Sequence, residues 1–204
     1  MAGSDVTPVI VSDEVALDAD GISTVAAVGN NAALTINGAL ASGGSVSLSS
    51  GRQVTILSSA DDTAISFTIV GTDVNGDSLT ESLTGADAAA TATSSGYFKT
   101  IASITAVGDP AGNCTAGINA NALGVVFAGR TRLRGFSIVS GGTAGIVSMR
   151  NGSATGTVKM QARTLGTDNT TEDAWVPDEG VLYPDGCYVT WAVPITDMMM
   201  FYHA

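Results

Sequence analysis

Residues 66–85 read SFTIVGTDVNGDSLTESLTG, and this stretch decides the fold class. Phe67 and Ile69 alternate with Ser66 and Thr68, a period of two that places the apolar side chains on one face of a strand. Asn75-Gly76 then interrupts the pattern and a second alternating run follows. Asn-Gly accepts the positive φ angles of a type I′ turn, so the stretch predicts a β-hairpin. On the returning strand Leu79, Glu81 and Leu83 share a face. A carboxylate among leucines implies either an edge strand blunted by an inward charge or a pairing with Arg52, which has no other arginine near it in this half of the chain.

Working outward, the same style recurs. Segments 32–36, 45–48, 52–58, 63–72, 77–84 and 97–107 have strand length, separated by Asn37-Gly38, Gly43-Gly44 and Asp61-Asp62. Residues 87–95 (DAAATATSS) lack a large apolar anchor and read as a loop rather than a short helix. Residues 108–123 mix Gly, Pro and Asn with little pattern, and the domain boundary is placed there. Beyond it, 123–139, 146–150, 156–163, 174–176, 187–193 and 195–202 are strand candidates. Gly135 interrupts the first of these, and a bulge there lets Leu133 and Phe136 share a face despite their odd spacing. The expected architecture is all-β: an extended arm at 1–23 and two antiparallel β-sandwich domains, Ig-like or jelly-roll-like, at 24–118 and 119–204.

Composition narrows the function. The chain has 204 residues and a net charge of −11, with 19 carboxylates against 8 Lys and Arg. Phosphate binding needs a basic stripe, so this balance argues against nucleic acid as a partner. The charge is uneven: residues 1–120 hold twelve acids against Arg52 and Lys99, whereas 121–204 hold seven acids against six bases. The first twenty residues contain no Lys or Arg and no long apolar run, so no signal peptide or membrane partner is expected, and synthesis in the cytoplasm is. Cys114 and Cys187 are expected to be unpaired thiols.

Catalytic constellations are not expected. His203 stands alone, one residue from the end of the sequence given, and the cysteines lack spaced partners for zinc. Asp73, Asn75 and Asp77 imitate the start of a calcium loop, but Ser78 and Thr84 occupy the positions where Gly and Glu are required. The acid pairs Asp61-Asp62, Glu172-Asp173 and Asp178-Glu179 read as solvated turn charges rather than a glycosidase pair. The sequons at Asn113, Asn151 and Asn169 are expected to be incidental. No enzyme, cofactor or metal is therefore expected.

Two features read as contact surfaces. Arg130, Arg132 and Arg134 are spaced i, i+2, i+4, which puts all three on one face of a strand and suits an acidic partner surface. The terminal run Met198-Met199-Met200-Phe201-Tyr202 is apolar on both faces, so Met198, Met200 and Tyr202 are candidates for burial against another subunit.

The phrases LTINGAL, SGRQVTILSSADD, FTIVGTDVNGDSLTESLTG and SGYFKTIASITA resemble β-domains in virion structural proteins of tailed bacteriophages. GVLYPDGCYV at 180–189 resembles the final hairpin of small phage structural proteins. The resemblance covers about half the chain and transfers no functional residue. It implies a non-enzymatic protein of the virion, assembled from the host cytoplasm: a capsid decoration or cement protein that contacts the major capsid protein or another virion protein and forms a homo-oligomer. The alternative is a tail or fibre component binding host polysaccharide, with Trp175, Tyr183, Tyr188 and Trp191 as sugar platforms.

Overall fold

The computed structural model describes residues 6–11 and 17–204, and among them every regular element is a strand. In chain order these are β1 (Thr7–Ile10), β2 (Asp18–Ala27), β3 (Ala41–Ser42), β4 (Ser45–Ser58), β5 (Ser66–Thr72), β6 (Ser78–Thr84), β7 (Thr91–Thr93) and β8 (Phe98–Val107). There follow β9 (Asn113–Phe127), β10 (Thr131–Gly141), β11 (Gly145–Asn151), β12 (Val158–Thr164), β13 (Asp168–Trp175), β14 (Val181–Tyr183), β15 (Cys187–Trp191) and β16 (Ile195–His203). The fold is all-β and antiparallel, as the alternating sequence predicts. The chain divides into two compact units, one spanning Leu17–Asn119 and the other built from Ala120–Ala204 with the N-terminal segment, of which residues 6–11 are described. Of the stretch read as an extended arm, Thr7–Ile10 forms β1 and Asp18 onward belongs to β2.

In the unit Leu17–Asn119, β4 lies between β8 and the start of β9, and β5 and β6 continue the sheet beyond β8. β2 pairs with β9, while β3 and β7 pair with the two ends of β4. The core is aliphatic with two phenylalanines: Ile22, Val54, Phe67, Ile69, Phe98, Ile101, Ile104 and Ile118 are all fully buried. Gly117 is required where β9 meets β2, because a Cβ there would collide with the backbone of Asp18 and Ala19.

The predicted hairpin is present with register Ser66↔Thr84 through Thr72↔Ser78. Its turn differs from expectation. The Asp77 carbonyl accepts the Asp73 N–H at 2.9 Å, the Asp73 carbonyl accepts the Gly76 N–H, and only Gly76 has positive φ. This is a three-residue loop with glycine in the left-handed region rather than a type I′ turn. Asp73 selects it, since one carboxylate oxygen accepts the N–H groups of Asn75 at 2.8 Å and Asp77 at 3.0 Å. The residues that imitate a calcium loop therefore close a hairpin.

In the other unit a five-stranded sheet runs β1-β16-β10-β13, with β14 also on β10. A second layer comprises β12, β11, β15 and the later part of β9. The two layers enclose one core containing Leu133, Phe136, Ile138, Met198 and Met200 from the first and Val147, Met149, Val189 and Trp191 from the second. This is sandwich packing. The expected bulge is found: the β10–β16 register slips between Leu133 and Gly135, and Leu133 and Phe136 both point into the core.

Candidate docking face

The five-stranded sheet has an outer face, and its register fixes what stands there. Pro8 pairs with Phe201, Phe201 with Gly135, and Gly135 with Trp175, so one row crosses all four strands. The next row is Ile10, Met199, Ser137 and Asp173. Gly135 is needed in the first row because a Cβ there would lie 2.6 Å from the Ala174 carbonyl and 3.0 Å from the Trp175 ring. The indole thus lies over bare backbone and meets Phe201 with ring centroids 6.2 Å apart. Trp175 is 60 % exposed and Ile10 66 % exposed, while Met199 and Phe201 are half-buried. Large apolar side chains gathered on a sheet face mark an interaction surface more often than chance exposure does.

Arginine borders this row. The Arg134 guanidinium carbon stands 5.8 Å from the Trp175 ring centroid, a cation–π arrangement. Its Nε is buried and has no hydrogen-bond partner among the described residues. Arg132 pairs with Glu179 at 3.0 Å, and since that carboxylate is largely in solvent the pair adds little stability. Arg130 does not join them: β10 begins at Thr131, and Arg130 is exposed on the bend before it. The arginine row on the strand is therefore two residues long.

The methionines need a second correction. Met198 and Met200 are fully buried in their own unit's core, and Tyr202 packs against that core with its ring 5.4 Å from Phe127. A partner meeting this strand would touch Met199 and Phe201 instead. The alternation in β16 decides this, because both faces are apolar and only the second layer shows which one is inward. Trp175 carried a signal of its own: it shares the i−2 face of Asp173, while Glu172 and Ala174 lie on the more buried side.

Of the four proposed sugar platforms only Trp175 is exposed; Tyr183, Tyr188 and Trp191 are buried. Both thiols are free and buried. Burial pushes the Cys187 thiol up to about 12, and burial with the Asp62 carboxylate nearby raises Cys114, so neither is an activated nucleophile. Burial also raises the Tyr183 hydroxyl, which sits beside Cys187. His203 ends β16 opposite Arg132, its carbonyl accepting the Thr131 hydroxyl at 2.9 Å. Among the described residues no group of three or more His, Cys, Asp or Glu could hold a metal.

Asp61 and Asp62 are not a matched pair of solvated charges. Asp61 is exposed, and hydrogen bonds from Thr63 hold its carboxyl below the usual range. Asp62 is fully buried and accepts the Ala111 N–H at 2.7 Å, fastening the loop before β9.

No protein-family model, curated protein or solved structure matches this chain.

Proposed function

We propose that this protein is a non-enzymatic virion structural protein that decorates or cements a capsid by contacting neighbouring capsid subunits. The observation that carries the reading is the outer face of the five-stranded sheet, where Trp175, Phe201, Met199 and Ile10 stand in register beside Arg134. Aromatic residues and arginine are the types that dominate binding hot spots, because they bring large rigid area and a weakly hydrated charge. The acid-rich first half of the sequence supports a solvent-facing role. Each bound copy would stabilise the assembled shell by mass action, and repetition on a lattice turns weak contacts into avidity.

The experiment is the copy number in purified particles from the source, measured by quantitative mass spectrometry against the major capsid protein. Hundreds of copies support decoration. A few dozen or fewer would move the protein to the tail or a fibre, and none would end the virion reading. Trp175 keeps the polysaccharide alternative open as a single exposed ring. Quenching of its fluorescence by added host polysaccharide would favour that alternative.

A further inference from the structure

Strand β1 is held by a purpose-built seat. Among the described residues it pairs only with β16, in register Thr7↔Tyr202 to Ile10↔Met199, and the Met198 carbonyl accepts the Val11 N–H at 2.8 Å. That bond makes Val11 and Met198 a hydrogen-bonded pair, so by alternation Val9 and Met200 form another, while Pro8–Phe201 and Ile10–Met199 are non-hydrogen-bonded pairs. Val9 packs against the core and Val11 is buried. The socket for Val11 exists because residue 124 is glycine: a Cβ there would collide with Val11 Cγ1 and press on the Trp191 ring. A small residue is thus placed deep in a sheet to admit an apolar side chain from a strand more than a hundred residues away in sequence.

The occupant is short. β1 has four residues, against nine in β16 and eleven in β10, and edge strands of this kind open without unfolding the sheet behind them. When it leaves, β16 presents a bare edge with apolar side chains on both faces, which demands another strand. The demand is specific: an antiparallel segment with apolar residues two apart to fill the Val9 and Val11 positions.

We infer that the β16 edge with its Gly124 socket is a strand-accepting site that takes residues 7–11 of a second copy of this chain as well as its own. The two segments are chemically identical, so every pairing made within one chain can be made between two, at the cost only of bringing the copies together. The chain's own segment wins in dilute solution through its tether, and exchange gains where copies are crowded. The inference rests on the strand pairing alone and is independent of the capsid reading.

Exchange is tested with two full-length chains, one carrying Ile10→Cys and the other a mass tag with Met199→Cys. These positions face one another, Ile10 is exposed, and the native thiols are buried. The chains are unfolded together, refolded over a range of concentrations and oxidised. The expected result is a covalent heterodimer whose yield rises with concentration, and its loss when the Met199→Cys chain also carries Gly124→Leu. A single chain with both cysteines should close internally. Internal closure with no heterodimer at any concentration overturns the inference. So does failure of internal closure, which would mean the pairing is absent, or a heterodimer that survives Gly124→Leu.

Discussion

Strands β6 and β1 each end a sheet, and they are kept from pairing further by different means. β6 uses its own residues. Glu81, inward among Leu79 and Leu83, accepts the Ser95 N–H and hydroxyl at 2.8 and 2.9 Å and the Gly96 N–H at 2.8 Å, so the charge that blunts the edge also fastens the adjoining turn. β1 uses proline. Pro8 sits at a non-hydrogen-bonded position, so the N–H it lacks is one that would have pointed away from β16 toward any newcomer. One edge is guarded by a half-buried charge on the strand itself; the other is guarded by a proline that lacks the outward donor.

The largest effect should come from the strand that β1 covers. Met200→Ala empties a fully buried position and should cost about 2–5 kcal/mol in urea unfolding, whereas Met199→Ala on the outer face should cost well under half of that. Equal costs would mean the faces of β16 are misassigned. Next comes Glu81→Ala, which returns the two Ser95 donors to water and leaves the part-buried Gly96 N–H without its acceptor, and should cost about 1 kcal/mol, with faster hydrogen exchange at Ser95 and Gly96. Pro8→Val should change stability by less than about 0.5 kcal/mol yet increase self-association in sedimentation, since it restores an outward donor to the edge.

Alkaline pH sharpens the contrast between core and edge. The Cys187 thiol is raised from 9.0 to about 12 in the folded state, so the folded protein holds that proton when the unfolded chain has lost it. The stability linked to it is complete below about pH 9 and is lost as pH rises toward 12. Urea midpoints measured from pH 8 to 11 should fall with a shallower slope in Cys187→Ala than in the parent. Glu81→Ala should leave that slope unchanged.

The same contrast explains what the sequence makes legible. The β5–β6 hairpin and the Gly135 bulge are written in neighbouring residues, and alternation with a glycine suffices to place them. The turn type is not legible there, because the Asp73 carboxylate, not the Asn-Gly pair, selects the loop. β9 hides in residues of low pattern such as Ala116, Gly117 and Ala120, which resemble a linker; Gly117 is small because the backbone of β2 lies against it. β13 extends back to Asp168 through polar residues because it ends its sheet and its outer face is exposed. The seat of β1 is illegible, since nothing near Gly124 names Val11 as its occupant. At the proposed docking face the arginine cluster and the alternation of Trp175 with Ala174 are both legible, but the row that joins Trp175 to Phe201 emerges only once Gly135 is known to lie beneath the indole.

The proposed docking face is tested most directly by the binding of Trp175→Ala to assembled shells prepared without this protein, compared with the parent chain and with Arg132→Glu/Arg134→Glu. Trp175→Ala should retain the parent's unfolding midpoint and lose most of its occupancy, with the arginine pair losing less. Full occupancy by a folded Trp175→Ala would contradict the assignment of this face.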